Sequence, residues 1–176
     1  LHDCALCARD CHIDRTQKTS YCRTGKLAVI SSAFPHLGEE DPLRGWMGSG
    51  TVFFSHCNLR CQYCQNYEIS QHGEGRTVSP ERLAGMLVQL QAQGCHNINF
   101  VSPSHVIPQI IEALSMATAA GLNIPLVYNT GGYDSLAGLE LLDGIIDIYM
   151  PDMKYADPDV GMMLSKVPDY PERNQA

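Results

Sequence analysis

Cys57, Cys61 and Cys64 are the residues of this 176-residue chain whose type and spacing most directly suggest chemistry. They stand in the loop Cys57-Asn58-Leu59-Arg60-Cys61-Gln62-Tyr63-Cys64, a C-x3-C-x2-C pattern. Three thiolates spaced this way can cap three corners of a cuboidal 4Fe–4S cluster and leave the fourth iron without a cysteine. Soft sulfur ligands suit iron–sulfur clusters or zinc. The competing reading is a structural zinc site that borrows His56 or a distant residue as its fourth ligand. A second group, Cys4, Cys7, Cys11 and Cys22, offers four thiolates, which would complete a shell for zinc or for a further iron–sulfur cluster. His2 or His12 could replace one of them. Cys95 has no partner at useful spacing and reads as a small buried hydrophobe. Neighbours as close as Cys61 and Cys64 seldom satisfy several disulfides but converge readily on metal, so a reducing, cytoplasmic setting is expected.

The bulk composition narrows the classes. Hydrophobic residues at 44% and charged residues at 18% are globular values. A net charge of −7 gives no basic footprint for nucleic acid or an anionic membrane. No apolar run is long enough to cross a bilayer, and the start, Leu1-His2-Asp3-Cys4, lacks the features of a secretory signal. The chain opens without Met and stops at Ala176 without a clear finishing element, so it is expected to be a piece of a longer protein.

The elements that must position the cysteines follow from periodicity. Residues 1–47 read as a Cys-rich metal-binding segment and connector, with Ser31 to Gly45 turn-forming. Residues 48–176 read as a core domain. Thr51 to Phe54 predicts a buried strand, with the cysteine loop directly after it. Ser79-Pro80-Glu81 reads as N-cap, first-turn proline and favourable acid, and Leu83, Met86, Leu87 and Leu90 mark the helix it opens. Strands are then expected at Asn97–Val101, Pro125–Tyr128 and Ile145–Tyr149. Helices are expected around Ile107–Leu114 and Leu136–Leu142, with another between Pro158 and Lys166. Four alternations of strand and helix predict an α/β fold with a parallel sheet. In such sheets the site lies beyond the carboxyl ends of the strands, so the four following polar segments should share one rim.

On these residues the chain resembles the radical S-adenosylmethionine (SAM) superfamily. It looks closest to the pyruvate formate-lyase activating enzyme-like branch. The resemblance rests on the cysteine spacing, on Tyr63 before the third cysteine, and on Gly48-Ser49-Gly50-Thr51-Val52-Phe53-Phe54-Ser55 leading into the loop. It extends through Asn97 to Val101, Val127 to Tyr133 and Asp147 to Tyr155. It implies a partial (βα) barrel, of which about four units are legible where the related fold uses about six of the eight in a full barrel.

The resemblance further implies a 4Fe–4S cluster on Cys57, Cys61 and Cys64, with SAM bound through its amino and carboxylate groups at the open iron. Reductive cleavage of SAM would give a 5′-deoxyadenosyl radical that abstracts hydrogen from a substrate, with the protein positioning the cofactor. Tyr63 is expected near the adenine. Asn129 and Thr130 match positions that contact SAM, and Gly131-Gly132 would permit a close approach. Lys154 could pair with the SAM carboxylate and Asp152 help hold it; the bland alternative is a solvated loop pair. Where relatives place a Gly-Gly-Glu segment, this chain has Val101-Ser102-Pro103-Ser104-His105. Ser102 and Ser104 therefore offer hydroxyls rather than a carboxylate, unless Ser104 is only the N-cap of the next helix. An electron donor such as flavodoxin or ferredoxin and a glycyl radical enzyme or other substrate are the implied partners. The alternatives are a non-catalytic zinc-binding module, or a radical SAM enzyme acting on a small molecule or RNA, with RNA disfavoured by the acidic charge. His36, Glu39 and Glu40 read as a polar loop without a role.

Overall fold

The computed structural model describes residues Leu1–Ala176. Six strands form one sheet: β1 (Ala28–His36), β2 (Ser49–Phe54), β3 (Arg76–Val78), β4 (Ile98–Val101), β5 (Leu126–Thr130) and β6 (Ile148–Pro151). Their order is β3-β1-β2-β4-β5-β6. β2, β4, β5 and β6 run parallel, and β1 pairs antiparallel with both β2 and β3. Six α-helices accompany them: α1 (Asp41–Arg44), α2 (Pro80–Ala92), α3 (Ile107–Ala119), α4 (Leu136–Glu140), α5 (Pro158–Ser165) and α6 (Tyr170–Gln175), with a π-helical turn at Glu68–His72. This α/β architecture, behind a Cys-rich N-terminal segment, fits the partial barrel that the resemblance implies. No helix is long and apolar enough to cross a membrane.

Alternation along the strands sorts the two sheet faces. Ile98 and Phe100 of β4, with Val52, Phe54 and Tyr128, turn toward the helices. They pack on Leu83, Leu87 and Leu90 of α2 and on Ile107, Ile110 and Leu114 of α3. Each such aliphatic side chain, fully buried, contributes about 1.5–3 kcal/mol. The opposite face carries Phe53, Val101 and Asn129, and it is there that the chain leaves a cleft.

Local signals placed α2 correctly. Ser79 Oγ accepts the Arg82 N–H at 3.3 Å, and Pro80 occupies the first turn. Elsewhere the structure corrects the expectations. The start of the Ser31–Gly45 stretch is not a turn but part of β1, because its backbone finds a partner in β2 from Ile30↔Phe54 to His36↔Ser49. β6 begins three residues late: the Ile145 and Ile146 amides bond back to Leu142 and close the turn after α4. α3 starts at Ile107 with Val106 at its N-cap position and no side-chain cap, so Ser104 does not cap it. The helix α6, which periodicity did not suggest, follows α5 directly.

Candidate active site

The segments after β2, β4, β5 and β6 meet at one rim, as strand polarity requires. They enclose a cleft of about 460 Å³. Cys57, Cys61, Tyr63 and Cys64 line it from the loop after β2, Ser102 from the turn after β4, Asn129 and Thr130 from β5, and Asp152 and Lys154 from beyond β6.

Each of the three sulfurs has a polar hydrogen neighbour. The Leu59 N–H donates to Cys57 Sγ at 3.4 Å and the Ser165 hydroxyl to Cys61 Sγ at 2.9 Å, while Ser70 Oγ lies 3.2 Å from Cys64 Sγ. Burial pushes the Cys57 thiol up to about 11, against the pull of the Leu59 N–H and with the help of Cys61 and Cys64. A thiol so raised becomes a thiolate only when a cation takes the proton's place. No three Cys, His, Asp or Glu side chains in the chain converge at the spacing of a single-ion site. A cuboidal cluster makes no such demand, because it takes each cysteine on a different iron. Three soft donors around a roomy cleft, two of them accepting hydrogen bonds at sulfur and the third beside the Ser70 hydroxyl, fit such a cluster.

Lys154 and Asp152 form an ion pair at the edge of the cleft. Burial works to lower the Lys154 pKa, but the Asp152 hydrogen bond and charge outweigh it, with smaller contributions from Cys61 and Tyr63, and the net direction is upward. The ammonium therefore stays charged. β6 ends at Pro151, so the two residues ride on a loop rather than on an extended strand. That loop is held from outside: the Lys154 N–H donates to Tyr170 Oη at 3.0 Å, and Asn174 Nδ2 donates to the Asp152 carbonyl at 2.8 Å. Tyr170 is fully buried, and its hydroxyl donates to the Gly131 carbonyl at 2.8 Å. Sequence reasoning missed both α6 residues, although Pro171 at the start of a helix was a readable signal.

The remaining expected contacts divide. Tyr63 is 52% exposed; its hydroxyl donates to Tyr155 Oη at 2.8 Å, which leaves the ring available on the cleft wall. Ser102 lies in the cleft with φ +56°, a left-handed turn that ends the strand abruptly. Ser104 does not reach the cleft. It is buried, with its Oγ 3.0 Å from Thr130 Oγ1. Thr130 touches the cleft, but its hydroxyl is engaged: it donates to Asp134 Oδ2 at 2.6 Å and accepts the Gly132 N–H at 3.2 Å. Gly132, at φ +70°, does permit a close approach, but by the protein itself: a Cβ there would strike the Asp152 carbonyl and Asn174. Two residues passed over as a polar loop, His36 and Glu39, also line the cleft. Asn99 Nδ2 donates to Glu39 Oε2 at 2.6 Å, and burial, then Glu40, raises the Glu39 pKa.

The fold, the three-cysteine loop and the shared rim define an iron–sulfur protein of the radical SAM class. Residues 51–173 match the radical SAM superfamily, and the chain belongs to it. Membership implies a 4Fe–4S cluster and SAM. The chain is 33% identical over 175 residues to the uncharacterized protein MJ0674 of Methanocaldococcus jannaschii, a match covering 96% of this chain and 50% of that protein. The chain thus spans about half the length of that relative.

Proposed function

We propose that this chain carries the SAM-cleaving portion of a radical SAM enzyme of the pyruvate formate-lyase activating type. It would take electrons from a flavodoxin- or ferredoxin-like donor and act on a glycyl radical enzyme or another substrate. The observation that carries this reading is the convergence of Cys57, Cys61, Cys64 and the Lys154–Asp152 pair on one cleft at the carboxyl ends of parallel strands. The chemistry supplied by the bound cofactors is reductive cleavage of SAM and hydrogen abstraction from a substrate.

The chain's own residues bind and orient. Cys57, Cys61 and Cys64 would hold the cluster, and the hydrogen bonds at their sulfurs would tune it. Lys154 offers a charge-assisted hydrogen bond to the SAM carboxylate, with Asp152 fixing the direction of the ammonium. The Tyr63 ring gives adenine an aromatic face, and Asn129 and Ser102 supply polar contacts. Phe53 and Val101 keep the floor of the cleft apolar and exclude water. Glu39 and His36, at the cleft wall, are placed to meet polar groups of a substrate. All eight cysteines are unpaired, which suits a reducing, cytoplasmic setting.

The test is anaerobic reconstitution with iron and sulfide, followed by a SAM-cleavage assay. Cys57→Ala, Cys61→Ala and Cys64→Ala should each lose the iron of this site and all cleavage, while Cys95→Ala keeps both. Iron content equal to the parent in the three variants, after subtraction of any N-terminal metal, would overturn the assignment.

A further inference from the structure

Cys4, Cys7, Cys11 and Cys22 share one pocket of the structure without closing onto a single point. All four line one small pocket, whose wall also includes Arg9, Asp10, Arg15 and His105. Cys4, Cys7 and Cys22 are buried, and Cys11 is half-buried. The backbone fixes this arrangement with few regular elements. The Cys4 N–H donates to the Ile13 carbonyl at 3.1 Å, the His12 N–H returns to the Cys4 carbonyl at 2.9 Å, and Asp10 N–H closes a turn on Cys7 at 3.0 Å. Asp10 and His12 both take positive φ to make the turn. Of residues 1–27, only Ala8, Cys4, Cys7 and Cys22 are buried apolar residues, so the segment has almost no core of its own.

Arg15 shows what the pocket is built for. The residue is 2% exposed. Its Nε donates to the Thr24 carbonyl at 3.0 Å, Nη2 to Gly25 at 3.1 Å and Nη1 to His105 at 2.7 Å. These three carbonyls accept hydrogen bonds but do not neutralise its charge. None of the chain's ion pairs includes Arg15. Its remaining neighbour is Cys4 Sγ, 3.9 Å from Nη1. A guanidinium cannot shed its proton, and an unpaired charge out of water costs several kcal/mol. Neutral thiols would leave it uncompensated. Four thiolates on a divalent metal, or on an iron–sulfur core, keep a net negative charge beside it.

We propose that Cys4, Cys7, Cys11 and Cys22 form a second thiolate-bound metal centre, with Arg15 as its buried counter-charge. The centre is separate from the three-cysteine site, and the proposal stands whether or not the chain cleaves SAM. As at that site, the thiols share a pocket without closing onto one point, and metal binding would draw them in and supply the folding energy that the segment lacks.

The centre is also coupled to the cluster loop. Arg9, between Cys7 and Cys11, donates from Nε to the Asn58 carbonyl at 2.8 Å and from Nη1 to Lys166 at 2.9 Å, with its guanidinium 3.5 Å from the Tyr21 ring centroid. Asn58 follows Cys57 directly, and its Nδ2 donates to the Tyr133 carbonyl at 2.6 Å, while Ala8 N–H meets the same carbonyl at 3.5 Å.

The experiment uses the full chain with Cys57, Cys61 and Cys64 replaced by Ala, so that any metal bound belongs to the N-terminal centre. The protein is loaded under anaerobic reducing conditions in two arms, one with zinc alone and one with iron and sulfide, then desalted. Elemental analysis should find about one zinc per chain in the first arm, or iron with broad visible absorption in the second; the arm that resists a chelator identifies the native metal. Adding Cys4→Ser and Cys22→Ser should abolish binding while far-ultraviolet circular dichroism of the βα core persists. In a chelator competition Arg15→Gln should bind the metal at least about tenfold more weakly, about 1.4 kcal/mol, and Arg15→Lys should recover part of the loss by restoring charge. No metal in either arm, or metal unaffected by the paired Cys→Ser changes, would overturn the centre. Equal affinity in Arg15→Gln would overturn the counter-charge.

Discussion

His105 is buried against Ser55, just ahead of the cluster loop, and its acid response can be calculated. Its Nε2 lies 3.1 Å from the Ser55 carbonyl, which can only accept, so Nε2 carries the proton; Nδ1 is buried without a partner. Burial dominates and pushes the histidine down to about 3; the Ser55 carbonyl opposes this, while Arg15 and His56 reinforce it. In the unfolded chain the same ring titrates near about 6.5. Between those values the unfolded chain binds a proton that the native protein refuses, so stability is full above about pH 6.5 and is lost as pH falls. From pH 7.5 to 5.0 the loss through this one group is about 2 kcal/mol. The figure is insensitive to the folded value, because at pH 5 the native ring is neutral for any value near 3. Urea unfolding of the parent and His105→Gln at both pH values measures it. Glutamine can keep a donor on Ser55 but cannot titrate, so the variant should lose about 2 kcal/mol less than the parent on acidification. Other acid-sensitive groups cancel in the comparison. Parallel losses in the two proteins would refute the argument.

Lys154→Ala should weaken SAM binding about tenfold to a hundredfold, the loss of one charge-assisted hydrogen bond worth about 1.5–3 kcal/mol, with iron content unchanged in an anaerobic titration. Tyr170→Phe should cost about 1–3 kcal/mol in denaturant unfolding, because it strips the donor from the Gly131 carbonyl and the acceptor from the Lys154 N–H. Ser79→Ala should cost about 1 kcal/mol by uncapping α2, again measured by denaturant, and leave iron binding as it was.

The sequence made legible what local chemistry decides. The C-x3-C-x2-C loop after a β-branched run, the Ser79-Pro80 start of α2 and the repeated βα rhythm all stand where residue types and spacing put them. What it concealed depends on distant partners. β1 carries no clean alternation: it pairs with β3 over Ala28 to Ile30, with β2 from Ile30 onward, and is bulged between Ile30 and Ser32. The shift of β6 was hidden because Ile145 and Ile146 are as apolar as a strand requires, yet they are spent on the turn after α4. Ser104 was ambiguous for a related reason: a hydroxyl after a strand suits a ligand, a helix cap or a buried network, and only the position of Thr130 selects the third. Glu39 and His36 looked like loop polarity until β1 carried them to the cleft.

The N-terminal segment and the cluster loop share a packing unit through Ala8, which lies between Cys7 and Cys11. Leu59 and Cys61 of the cluster loop are buried against Ala8 of the N-terminal segment, Tyr133 and Tyr155 of the rim, and Val167 and Tyr170 around α6. The aromatic members contact one another, Tyr133 stacked with Tyr170 and Tyr155 edge-on to it. Tyr133 Oη donates to Asp169 Oδ1 at 2.6 Å, which ties the rim after β5 to the start of α6. No single element therefore determines the position of the three sulfurs. Backbone from residues 8, 59–61, 131–133, 152–155 and 167–170 must all be in place before the cleft has its shape. A reactive site whose supporting residues are packed and hydrogen-bonded in this way keeps its ligands and Lys154 in fixed relation. Loosening the N-terminal segment should therefore disturb the cluster loop before it disturbs the helix-covered face of the sheet, whose Leu, Ile and Phe core shares none of those residues.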